Sequence, residues 1–161
     1  MRTSDLIVYY SWSENTAHAA EIIRTLVGGD MLRLEPVHAY PKDYHACVEQ
    51  SKRELAEKTT PKLKTFDLDI TQYTRIFIGS PNWCGSFAPP IRSFLSRYDL
   101  SGKIIYPFCT HGGGGLRNFK NDLEDICNQS YIMEPLALYG DGGSDAPDAI
   151  SKWILRTVQY K

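Results

Sequence analysis

Leu6-Ile7-Val8-Tyr9-Tyr10 runs straight into Ser11-Trp12-Ser13-Glu14-Asn15-Thr16, and the fold turns on how that junction is read. Five consecutive apolar residues without alternation suit a strand buried on both faces, as in a parallel sheet covered by helices. Ala19, Ile22, Ile23, Leu26 and Val27 then recur at helical spacing, and Gly28-Gly29 stops the helix. Strand, short polar loop and helix in that order make the first half of a βαβ unit.

The same alternation continues along the chain. Met31 to Glu35 alternates polar with apolar residues, as a strand at a sheet edge does, and Tyr44, Cys47, Val48, Ser51 and Leu55 mark one face of a second helix. Arg75-Ile76-Phe77-Ile78-Gly79 is the third strand, after which Pro89-Pro90 opens a helix with Ile91, Phe94, Leu95 and Tyr98 on one face. Proline is tolerated there because a first-turn N–H has no partner within the helix. Ile104 to Cys109 is the fourth strand, and Leu116, Phe119, Leu123 and Ile126 mark the next helix. Tyr131 to Tyr139 holds the fifth strand, interrupted near Pro135, and the last helix buries Ile150, Trp153, Ile154 and Val158. Pro107, inside the fourth strand, removes a ladder hydrogen bond unless a bulge accommodates it. Lys58 to Thr74 is polar and aperiodic and reads as a long surface connection. The expectation is one α/β domain over residues 1–161, with a doubly wound, five-stranded parallel sheet.

Composition narrows the function. Lys and Arg number 18 against 19 Asp and Glu, which gives no electrostatic reason to expect nucleic acid or an anionic membrane as partner. Cys47, Cys84, Cys109 and Cys127 are widely spaced with no CxxC, which argues against a zinc or iron–sulfur site and for free thiols. The apolar run after Met1 is too short for a signal-peptide core or a membrane span, so a cytoplasmic protein is expected.

Ligands of open parallel sheets bind beyond the carboxyl ends of the strands, where the strand order reverses. Three loops there are unusual. Ser11-Trp12-Ser13-Glu14-Asn15-Thr16 gathers hydroxyls, an amide and backbone N–H groups at a helix N-terminus, whose macrodipole favours an anion. Helix capping by Ser13 or Asn15 explains the same residues without a ligand. Neither GxxxxGK[ST] nor GxGxxG is present. Pro81-Asn82-Trp83-Cys84-Gly85 places a tryptophan at the ligand end of the sheet, either as a buried anchor or as a stacking surface for a flat ring. Thr110-His111-Gly112-Gly113-Gly114-Gly115 lets backbone approach a ligand closely, or is simply a flexible turn.

Taken together and in order, the Ser-x-Ser-x-Asn-Thr, Pro-x-Trp-x-Gly and Thr-His-Gly-Gly loops resemble the flavodoxin family over essentially the whole chain, including the Tyr40-Pro41-Lys42-Asp43-Tyr44 entry to the second helix. The resemblance implies a flavodoxin-like strand order of 2-1-3-4-5 and one non-covalent FMN. By the same resemblance Ser11, Ser13, Asn15 and Thr16, with the backbone of Trp12 and Glu14, hold the FMN phosphate. Pro81, Asn82, Trp83, Cys84 and Gly85 line the ring; Thr110, His111 and Gly112, Gly113, Gly114 and Gly115 lie along its other side; and the Gly85 peptide is free to flip between redox states. The function so implied is a monomeric, low-potential electron carrier between redox partner proteins, a flavoprotein reductase and an electron acceptor. The alternative is an FMN-dependent NAD(P)H:quinone reductase. Three features depart from the family pattern. Glu14 stands where glycine is usual, so its side chain must face solvent; His111 stands where many members have tyrosine; and the near-zero net charge lacks the usual acidity.

Overall fold

The computed structural model describes residues 5–158, with side chains through residue 156. Strands β1 (Asp5–Tyr9), β2 (Asp30–Arg33), β3 (Arg75–Trp83) and β5 (Ile104–His111) are parallel, and two short strands, β6 (Tyr131–Ile132) and β7 (Leu136–Tyr139), both pair in parallel with β5. Helices α1 (Asn15–Val27), α2 (Tyr44–Glu57), α3 (Pro89–Arg97), α4 (Phe119–Ile126) and α5 (Ala146–Val158) connect them. The sheet order is β2-β1-β3-β5-β6, which reverses direction at β1/β3. The expected α/β, parallel, doubly wound architecture is therefore present, with β2 at an edge.

The expected five strands in the order 2-1-3-4-5 become seven, for two reasons. β3 runs on to Trp83 and turns back as β4 (Ser86–Phe87), an antiparallel hairpin across Cys84-Gly85. Both turn residues have positive φ, 53° and 88°, the conformation that two-residue hairpin loops require. The last strand position is split, because Pro107 and Pro135 meet there. Ile105 O accepts from Met133 N (2.8 Å), so Pro107, two residues on, turns the same edge toward β6 and β7 and offers no N–H. Pairing stops at Ile132 and resumes at Leu136, opposite Phe108, and Trp153 Nε1 donates to the stranded Glu134 carbonyl at 2.8 Å.

Period-two alternation sorts the core into two layers. Leu6, Val8, Ile76, Ile78 and Ile105 face α3 and α4, whose Ile91, Phe94, Phe119 and Leu123 are fully buried. Ile7, Tyr9, Phe77, Tyr106 and Phe108 face α1 and α5, where Ala19, Ile23, Ile150 and Trp153 cover them. Ile154 packs partly against this layer, Leu26 is exposed, and the Val158 side chain lies outside the described residues. The Lys58–Thr74 connection also departs from expectation. Leu63, Phe66, Leu68, Ile70 and Tyr73 pack against the α3–α4 layer, and Pro36 bridges Leu63, so the segment closes the core beside the edge strand.

Gly79, near the middle of β3, pairs with Tyr9 and Phe108, and a Cβ there would lie 2.1 Å from the Phe108 ring. Gly79→Ala must displace a fully buried aromatic ring, and overpacking of this kind costs roughly 1–3 kcal/mol. The urea midpoint should fall accordingly; an unchanged midpoint would show that the ring relaxes freely.

Candidate functional site

The carboxyl ends of β1, β3 and β5 open into a cleft of about 600 Å³. Trp12, Ser13 and Asn15 line it from the first loop, Pro81, Asn82, Trp83 and Cys84 from the second, and Thr110, His111 and Gly112 from the third. The remaining residues singled out from sequence do not line it. Ser11 and Thr16 are buried beneath the first loop, Glu14 points outward, Gly85 is buried in the hairpin turn, and Gly113, Gly114 and Gly115 lie outside the lining.

α1 begins with Glu14 in the left-handed conformation (φ 69°), and no side chain of that residue caps the helix. Neither Ser13 nor Asn15 acts as its cap. Ser11 Oγ accepts from Ala17 N at 3.1 Å, tying the loop to the first helical turn. The Glu14 carboxylate is drawn away by Arg33 at the end of β2, with guanidinium contacts of 2.6 and 3.1 Å, and the same guanidinium reaches Ser11 O at 3.4 Å. Arg33 thus clamps both ends of the loop and holds the Glu14 carboxyl below the usual carboxylate range.

The other two loops are tied to the first. The Thr16 and Thr110 hydroxyls are 2.8 Å apart. Trp83 makes edge contacts with Tyr10 (5.4 Å) and Tyr40 (4.9 Å), and burial raises both tyrosines above the ordinary phenol range, so the cluster stays neutral. Asn82 Nδ2 donates to Gly115 O at 2.5 Å, while its Oδ1 accepts from Gly85 N at 2.9 Å. Asn118 N donates to Gly85 O at 2.8 Å. Gly85 is therefore buried with its N–H held by the Asn82 side chain and its C=O by the Asn118 backbone.

Several lining residues carried no signal for a site. Tyr44, Cys47, Val48 and Ser51 form a lip from α2, and Tyr139 with Gly140 forms part of the opposite wall. Helical periodicity marked that α2 face without saying what it faces, and Tyr139 ends a strand whose loop had not been counted among the ligand loops. Tyr139 is 72% exposed and stands edge-on to His111, with centroids 5.9 Å apart. His111 Nδ1 accepts from Gly113 N at 3.0 Å, so its neutral form carries the proton on Nε2. Cys84 is exposed, while Cys109 is buried with its thiol pushed up to about 12 by burial.

A cleft at a β1/β3 switch point, with a helix N-terminus at one side and aromatic side chains on its walls, defines a doubly wound protein of the ligand-binding type. The Flavodoxin family model matches residues 4–157, and the chain belongs to the flavodoxin family. No curated protein matches the sequence. Among solved structures, a protein of Bacteroides eggerthii assigned as a flavoprotein is 27% identical, with TM-score 0.85 over 98% of this chain and 99% of that one. A flavoprotein of Lactobacillus acidophilus in complex with FMN is 21% identical, with TM-score 0.78 over 94% and 99%. Flavodoxin 2 of Bacillus cereus is 16% identical, with TM-score 0.62 over 99% and 100%, and shares the fold.

The Glu14–Arg33 pair generates a pH prediction. A carboxyl with a lowered folded-state pKa contributes stability above the ordinary carboxylate range and loses it as pH falls through the lowered value. Both partners are substantially solvated, so the contribution is at most about 1 kcal/mol. Glu14→Gln should be slightly less stable than the parent at pH 7, and the gap should close as pH is lowered, read by urea titration at each pH. A gap that is constant with pH would mean the carboxylate charge is irrelevant to the loop.

Proposed function

We propose that this chain binds one FMN without covalent attachment in the cleft and carries electrons between redox proteins. The observation that carries the reading is the pairing of the α1 N-terminus with an aromatic-walled cleft of about 600 Å³ at the switch point. Family membership and the FMN-bound relative support the choice of cofactor. When bound, FMN supplies reversible electron transfer at its ring.

The residues present suit that group. The α1 N-terminus favours the phosphate through its partial positive charge, and Ser13 and Asn15 add neutral donors at the cleft wall. Arg33 removes the repulsion that Glu14 would otherwise bring to a dianion. Trp83 presents a ring held edge-on by Tyr10 and Tyr40, so its orientation is fixed before any ligand arrives. His111 keeps an Nε2 proton for an acceptor on the ligand, because Nδ1 is already engaged by Gly113. Tyr44 and Tyr139 are both exposed on the lips, which leaves an edge of the cleft open to a docking protein.

Losing a hydrogen bond to a charged group costs about 1.5–3 kcal/mol. Ser13→Ala combined with Asn15→Ala should therefore weaken FMN about tenfold or more while changing riboflavin affinity little, measured by quenching of flavin fluorescence. Equal losses for both ligands would remove the phosphate from this loop.

Carrier function is tested by mixing the FMN-loaded protein with NADPH or NADH and a quinone, with and without a separate flavoprotein reductase. Little turnover is expected until the reductase is added. Rapid quinone reduction by the protein alone would assign it instead to the NAD(P)H:quinone reductases.

A further inference from the structure

Cys84 borders two clefts. On one side it lines the candidate cofactor site, and on the other it opens onto a separate groove of about 380 Å³ whose lining includes Lys52, Lys58, Ser86, Arg92 and Asp122. Lys52 lies on α2 and Lys58 at its C-terminal cap, both exposed. Arg92, from α3, is steadied over the Phe87 ring at 5.6 Å from its centroid. Arg117, exposed on the loop before α4, packs against the hairpin tip, its Cδ 3.5 Å from where a Gly85 Cβ would stand.

Among the described residues none of these four cations forms an ion pair, whereas Arg33, Lys64, Arg75, Lys120 and Lys152 all do. Asp122 sits in the groove but is engaged by the Ser86 hydroxyl, and Glu57 is exposed beside Lys58. Within the groove lining itself Lys52, Lys58 and Arg92 stand against Asp122, an excess of two positive charges (3 − 1), on a chain whose net charge is −1. The excess is gathered around one hairpin tip, and that tip is also the rim of the cofactor cleft. Spread over α2, α3 and the loop before α4, the charges suit the broad face of a protein better than the single point of a small anion.

We propose that this groove docks an acidic surface of a partner protein, bringing that partner across Cys84 to the mouth of the cleft. The proposal rests on the cofactor reading for its purpose, but its physical basis is the charge distribution alone. Charges of this kind accelerate encounter and are screened beyond about 8 Å at physiological salt, so salt is the diagnostic variable.

The test uses the full chain loaded with FMN, isotopically labelled, and a decaglutamate peptide as the acidic probe, followed by amide NMR shifts. At low salt, shifts are expected at Lys52, Lys58, Cys84, Arg92 and Arg117, with apparent affinity about tenfold weaker in 0.5 M salt. K52E/K58E, which alters only exposed lysines, should abolish them while the protein keeps its fold by circular dichroism. Arg92→Gln should weaken them alone. Shifts centred instead on Arg33, Lys42 and Lys64, which line a different groove, would overturn the proposal. So would shifts unaffected by K52E/K58E, or the absence of any shift. Inorganic phosphate and NADP+ are run in parallel; either one displacing the peptide at equal concentration would make the groove a small-anion site. The visible spectrum of the same sample reports FMN binding separately, so failure of the cofactor reading and failure of the docking proposal are distinguishable.

Discussion

The Phe108 ring lying across Gly79 is the contact on which the rest of the molecule depends. It draws β3 and β5 together at the point where β3 also pairs with β1, because Gly79 pairs with Tyr9 on one side and Phe108 on the other. Every ligand loop leaves the sheet within a few residues of that contact, at Ser11, at Pro81 and at His111. A side chain at position 79 would meet the Phe108 ring and push β3 and β5 apart. The core below and the cleft above are therefore set by one absent methyl group.

From those exits the loops are fastened to one another rather than left to a ligand to gather. Thr16 to Thr110 joins the first loop to the third, Asn82 to Gly115 joins the second to the third, and Trp83 against Tyr10 joins the second to the first. The triangle matters most for the glycine run, whose free chain has the most conformational freedom to lose. By drawing on Gly115 O from one side while Asn118 reaches Gly85 O from the other, the protein orders this loop before binding. A pre-ordered site spends less of its interaction energy on immobilising itself.

What could be read from the sequence was whatever depended on period. Two-residue alternation against continuous apolar runs separated edge strand β2 from buried β1, β3 and β5, and Pro89-Pro90 and Gly28-Gly29 marked a helix start and a helix end. What could not be read depended on partners far along the chain. Pro107 and Pro135 each signalled an interruption, yet only the register of β5 against β6 and β7 shows that one gap satisfies both. The β3–β4 hairpin was hidden because its turn places Cys84, a residue that seldom adopts positive φ, where asparagine or aspartate would have announced it. The α2 face was visible as a stripe, but a stripe does not say whether it meets core or cleft, and here Cys47 meets both.

Charge was the least legible property, because totals cancel what geometry separates. With 18 basic and 19 acidic residues, the chain gave no reason to expect a polarised surface. In the structure, the cation nearest the candidate phosphate loop, Arg33, is consumed by Glu14, so the anion end of the cleft stays close to neutral. The cations around Cys84 have no such partner among the described residues, and the groove they line meets the cleft at that residue. A phosphate held by helix dipole and neutral donors would need no lysine, and Lys52 and Lys58 both stay exposed at the surface. The division follows from one placement: Glu14 in the left-handed position at the start of α1 points its carboxylate at β2, and so keeps Arg33 occupied.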